Sequence, residues 1–186
     1  MITSTVSRPA RLDPAAPGPT TTAGLPGGQT DPVTLFPDPP ATVVFTDGAC
    51  IGNPGPGGWA WAVSEDEYES GHAEQTTNQR MEVTAVLQAL SALSGQVRVV
   101  SDSTYVVNCF KQRWWAGWRA RGWRNSRGEP VANQDLWRPL VEEIIDRRAG
   151  EIKLTWVKGH SGNPMNELVD RLAVAAARGQ RGDHAG

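Results

Sequence analysis

At 186 residues, 39 % of them hydrophobic, the chain has room for one domain with a packed core and a tail. A formal net charge of −2 excludes binding to nucleic acid through global basicity, so any such signal must be local. Cys50 and Cys109 lack zinc-binding spacing and read as free thiols of a reducing compartment, and no apolar run reaches the ~18 residues of a membrane helix.

Residues 1–40 hold nine of the fourteen prolines and one aromatic, Phe36. Such a stretch buries too little apolar surface to offset chain entropy, and it reads as a disordered tail that the chemistry does not need. It has neither the basic start nor the apolar run of a secretory signal. The folded domain is expected over 41–178, followed by a short flexible tail at 179–186.

Thr42–Thr46 is β-branched or aromatic throughout and reads as a strand that delivers Asp47 at its polar end. Gly52–Gly58 reads as a broad turn before a second strand at Trp59–Val63. This is either an acidic ligand beside a loop whose backbone can approach a phosphate, or an ordinary surface hairpin. Residues 65–69 read as a solvated acidic turn, and a third strand is expected near Ser70–Thr76. A helix follows, capped by Thr77 or Asn78 and running to about Leu93. Val83, Val86, Leu87, Leu90 and Leu93 recur at helical spacing, Gly95 ends the helix, and Glu82 sits in its first turns. Val97–Asp102 is a short buried strand that ends in a second carboxylate, with a helix starting at Ser103. Two strands thus deliver an aspartate at the C-terminal edge, where α/β sheets build sites.

Ser103–Gly128 contains six bases, Lys111, Arg113, Arg119, Arg121, Arg124 and Arg127, and no acid. Trp114, Trp115, Trp118 and Trp123 are interleaved with them. A basic stripe with aromatics suits a nucleic-acid backbone and its bases; the alternative is a protrusion with packed indoles and solvated guanidinium groups. Asn133–Trp137 opens another helix with Leu136, Leu140, Ile144 and Ile145 inward, and 151–157 alternates like a strand. Lys158–Asn163 is a flexible loop around His160. Asn163 caps a last helix, with Pro164 at its first position, Leu168, Leu172 and Ala175 or Ala176 facing the core, and Asp170 on its middle turns. Hairpin strands followed by alternating strands and helices imply an α/β fold, a mixed sheet flanked by helices.

Asp47, Glu82, Asp102 and Asp170 each lie at a strand end or on a following helix. Were they to converge, their mutual repulsion would be relieved by divalent cations, and an all-oxygen set suits Mg²⁺ or Mn²⁺ rather than zinc.

Six stretches then carry a resemblance: TDGACIGNPGPGG at 46–58, TTNQRME at 76–82, SDSTYV at 101–106, RGW at 121–123, DLW at 135–137 and WVKGHSGNPMNELVDRLA at 156–173. In their order and spacing the chain resembles ribonuclease H of type 1, the bacterial enzymes that hydrolyse the RNA strand of RNA–DNA hybrids. The resemblance spans about 42–178. It implies a ribonuclease H-like fold, a five-stranded mixed sheet with one antiparallel strand. It implies an acid quartet at Asp47, Glu82, Asp102 and Asp170 holding two Mg²⁺, and His160 as a mobile helper in catalysis. It implies hybrid contacts from Asn53, Thr77, Asn78 and Asn133, and from Trp114, Trp118, Arg119 and Arg121 on the basic protrusion. A cytoplasmic monomer is expected. Gln79 and Thr104 depart from the residues common at those positions, which bears on substrate context rather than chemistry. A non-catalytic hybrid-binding module and another nuclease of the same fold are the rival readings.

Overall fold

The structure, a computed structural model, describes residues 40–179. The expected tails lie outside them, apart from Pro40 and Gly179. Five strands form one sheet: β1 Thr42–Cys50, β2 Gly55–Ala62, β3 Tyr68–Thr76, β4 Val97–Ser101 and β5 Ile152–Trp156. Their order is β3-β2-β1-β4-β5. β2 runs antiparallel to both neighbours, and β1, β4 and β5 are parallel, so the expected mixed sheet with one antiparallel strand is the one observed.

The helices are α1 Asn78–Ala92, α2 Thr104–Gln112, α3 Trp114–Ala120, α4 Gln134–Pro139 and α5 Pro164–Ala177. Thr77 caps α1 by accepting from Arg80 N, and Asn163 caps α5 by accepting from Met165 N and Asn166 N. α2 and α3 are separated by Arg113 in the left-handed region at φ 50°. α4 passes into a π-helical turn, Leu140–Ile145, which starts after Pro139, a residue with no N–H to give the α-ladder.

The main core lies between one sheet face and α1 to α4. Val44, Trp61, Val97 and Val99 meet Val83, Val86, Leu90, Val106, Trp137, Leu140 and Val141. Trp137 is fully buried, and its Nε1 donates to the Tyr105 hydroxyl at 2.9 Å. Arg148 closes the far end of α1: its guanidinium donates to the carbonyls of Leu90, Leu93 and Gly95, which the helix itself leaves without partners.

Two expectations are corrected. Gly55–Gly58 are not a turn; they are the first half of β2, and the turn shrinks to 51–54. A Cβ on Gly58 would collide with the α5 backbone at Ala173 and Ala177, and one on Gly57 with Thr76 and Met81. The glycines therefore serve close approach of helix and sheet. The buried stripe of α5 is Asn166, Val169, Ala173, Ala176 and Ala177, whereas Leu168 and Leu172 are only half-buried beside it. Small residues face the glycine strand because that contact is too tight for leucine.

Candidate active site

The parallel register of β1 and β4 pairs Val43 with Arg98 and Phe45 with Val100. Continued by two residues, it brings Asp47 beside Asp102, just past the end of β4. Asp47 is thus an internal residue of β1, which runs on to Cys50 through its pairing with β2. Gly48 lies directly against α1: a Cβ there would fall into the backbone of Met81 and Glu82. That contact brings Glu82 up to Asp47, and α5 brings Asp170 from the other face of the sheet.

Three of the four acids are held by hydrogen bonds from the chain. Asp47 Oδ1 accepts from Gly48 N at 2.7 Å. Glu82 has both oxygens occupied: Asn78 Nδ2 donates to Oε1 at 2.9 Å and Ser103 Oγ donates to Oε2 at 2.7 Å. Asp102 Oδ2 accepts from Asn166 Nδ2 at 3.0 Å.

Burial, and then the charges of Asp102, Asp170 and Glu82, push the Asp47 carboxyl up to about 8, against an opposing hydrogen bond from Gly48. Burial likewise raises Glu82, partly offset by the bonds from Ser103 and Asn78. A cation would favour the ionised forms, and the donor set is all oxygen, so the residues fit Mg²⁺ or Mn²⁺. As the side chains stand, no three acids, histidines or cysteines among the described residues already enclose an ion site.

The raised Asp47 value has a sign that can be tested. The folded protein keeps a proton that the unfolded chain releases above the ordinary value of 3.8, so metal-free stability falls as pH climbs from there through about 8. Asp47→Asn removes this penalty. Its melting temperature should exceed that of wild type at pH 8–9 by about 4–8 °C, or roughly 2 kcal/mol, and the gap should close near pH 4. Calorimetry in EDTA across that range checks it; parallel curves would refute it.

His160 lies exposed between Gly159 and Gly162, itself at φ 50°. Asn53 Oδ1 accepts from Asn78 N at 3.2 Å, tying the β1–β2 turn to the start of α1. Arg80 forms a bidentate ion pair with Asp135, clasping α1 to α4 close to Asn133, which sits at φ 56°. On the protrusion, half-buried Trp118 packs against Trp114, Trp123 and Trp137 at centroid distances of 5.8–6.3 Å. Arg119 pairs with Asp146 at 2.7 Å, and Arg121 and Arg124 donate to backbone carbonyls of their own turn. Lys111, Arg113 and Arg127 form no ion pair among the described residues. Part of the basic stripe is therefore spent on its own fold.

Sequence reasoning missed Gly48, Ser103, Trp156 and Asn166, which pack against or hydrogen-bond the acids. Ser103 had a signal, a hydroxyl following Asp102 at a helix start; the others act through contacts distant in sequence.

The family profile described as RNase H matches residues 39–178. A ribonuclease H from Syntrophomonas wolfei is 45 % identical over 142 residues, covering 73 % of this chain and 95 % of that one. One from Granulibacter bethesdensis is 50 % identical over 139 residues, covering 72 % and 89 %. Among solved structures, LC9-RNase H1, described as a type 1 RNase H with the type 2 active-site motif, superposes with a TM-score of 0.60 at 29 % identity, covering 80 % of this chain and 78 % of that one. LC11-RNase H1 in complex with an RNA/DNA hybrid shares the fold at a TM-score of 0.56 and 19 % identity, covering 74 % and 96 %.

Proposed function

The chain belongs to the ribonuclease H family, and from that premise we propose how its residues hydrolyse the RNA strand of an RNA–DNA hybrid. The observation that carries the reading is the gathering of Asp47, Glu82, Asp102 and Asp170, with Asp47 pushed up to about 8 partly by the other three. These four carboxylates would hold two Mg²⁺, or Mn²⁺ in their place. When bound, the ions supply the charge that activates water and stabilises the leaving 3′-oxygen. Asn78 and Ser103 hold Glu82, and Asn166 holds Asp102, so both carboxylates are oriented before substrate arrives. Departure of the 3′-oxygen leaves 5′-phosphate and 3′-hydroxyl ends.

Asn53, Thr77, Asn78 and Asn133 would meet the hybrid backbone, where the 2′-hydroxyl distinguishes RNA from DNA. Trp114, Trp118, Arg119 and Arg121 would take the DNA strand. Phosphate contacts carry no base information, so sequence preference is weak. The free thiols Cys50 and Cys109 fit a reducing, cytoplasmic setting, and we place the enzyme there as a monomer. The test is cleavage of a labelled hybrid against duplex DNA and duplex RNA, with Mg²⁺ and with EDTA. Hybrid-specific, metal-dependent cutting of the RNA strand is expected. Binding without cleavage would favour the non-catalytic module, and cutting of duplex DNA another nuclease of this fold.

Two variants probe the roles at the edge of the site. His160→Ala should lower turnover by about 10²-fold without abolishing it, the low end of what acid–base help supplies. A wild-type rate would remove the role. Replacing the unpaired Lys111 and Arg113 by alanine should flatten the dependence of log affinity on log salt, by about 0.7–0.9 for each phosphate that is no longer neutralised. An unchanged slope would mean these bases face only solvent.

A further inference from the structure

The segment around His160 meets Asp102 at three points, two of them hydrogen bonds. Asn166 Nδ2 donates to Asp102 Oδ2 at 3.0 Å. Trp156 Nε1 donates to the Asp102 backbone carbonyl at 3.1 Å. A Cβ on Gly159 would stand 2.7 Å from Asp102 Oδ2. Of these three, Asn166 makes least sense as packing. It is 2 % exposed, and its Oδ1 is buried with no partner. A half-satisfied buried amide is a burden that an apolar side chain of the same shape would not carry. Nor does the side chain serve the helix start, because Asn163 Oδ1 already accepts from Asn166 N.

The helix explains the placement. Asn166 and Asp170 are four residues apart on α5, the spacing that sets two side chains one above the other on a single face. One end of that face holds Asp102, which directly follows β4; the other presents Asp170.

We propose that Asn166 is a positioning residue that links the Asp102 carboxylate to α5 and so sets the separation of Asp102 from Asp170, and with it the affinity of the site for divalent cations. This rests on the carboxylates being the metal ligands. Groups that orient metal-ligating carboxylates typically alter metal affinity or activity by about 10–100-fold when removed.

The test is Asn166→Leu in the full chain. Mg²⁺ affinity is read from the rise of calorimetric melting temperature with Mg²⁺ concentration, and kcat and KM from hybrid cleavage. Mg²⁺ affinity should fall by about 10–100-fold. The loss in cleavage should sit in kcat and be partly restored by excess Mg²⁺, with KM for the hybrid unchanged. The metal-free melting temperature should hold or rise, since the unpaired acceptor has gone. If the leucine variant does not fold, Asn166→Ala must show the same loss of Mg²⁺ affinity. Wild-type Mg²⁺ affinity in a folded variant, or a KM that rises as kcat falls, would overturn the proposal. Asp102→Asn runs beside it: if that variant binds Mg²⁺ like wild type, it is the ligand reading that has failed, not the role of Asn166.

Discussion

Asp102→Asn should reduce cleavage of an RNA–DNA hybrid to background while hybrid binding stays within a few-fold of wild type. The asparagine keeps the shape, and its carbonyl oxygen can still accept from Asn166, whose Nδ2 reaches Asp102 Oδ2 at 3.0 Å. What disappears is a negative charge at the centre of the cluster. Asp102 is the neighbouring charge that raises Asp47 most, so its removal lets Asp47 ionise more readily. The variant should therefore be no less stable than wild type in EDTA at neutral pH, and the lost activity cannot be blamed on unfolding. Ca²⁺ offers the matching control on the wild-type protein. Its larger and looser coordination should permit binding and support little cutting. One labelled hybrid, assayed with both proteins in EDTA, Mg²⁺ and Ca²⁺, decides the matter. An asparagine variant as fast as wild type would remove Asp102 from the two-metal reading.

Gly48→Ala should damage the fold and the site together. Its added methyl falls into the backbone of Met81 and Glu82, and backbone, unlike a flexible side chain, cannot swing aside. Either β1 or α1 must shift. We expect a loss of about 3 kcal/mol or more in urea denaturation, the upper end for overpacking. The movement also carries Glu82 away from Asp47, and a displacement near 1 Å typically lowers turnover by about 10²-fold. Gly95→Ala is the contrast: its Cβ would meet nothing within 4 Å, although φ +68° strains any side chain there. Equal stability of the two variants would show that the Gly48 contact relaxes freely.

The order of strands and helices was legible because each element announces itself locally. Val97–Ser101 is apolar enough to be a buried strand, Thr77 and Asn163 are capping residues, and Pro164 stands where a helix begins. The four candidate acids stood out in the sequence at strand ends and through a family pattern. What escaped was set by contacts between distant segments. Gly55–Gly58 looks like turn material and is strand, because it pairs with β1 and β3, and at Gly58 α5 leaves no room for a Cβ. Leu168 looks like core and is a flank, because Ala173 and Ala177 take the close contact. Arg121 and Arg124 look like purely solvent-facing bases, and each also donates to a backbone carbonyl of its own turn. Asn166 looks like an ordinary first-turn residue until Asp102 is folded against it.

The crowding of indoles around Trp118 gives the protein an uneven spectroscopic voice. Trp114, Trp118, Trp123 and Trp137 form a chain of rings with neighbouring centroids 5.8–6.3 Å apart, close enough for excited states to be shared. Emission and near-ultraviolet dichroism will therefore carry a strong contribution from this cluster, which joins the protrusion to the core residue Trp137. Trp156, 45 % exposed and bonded to the Asp102 carbonyl, stands apart from that chain. Quenching by a small solute such as acrylamide, which reaches exposed rings first, isolates it as a local reporter beside the acids.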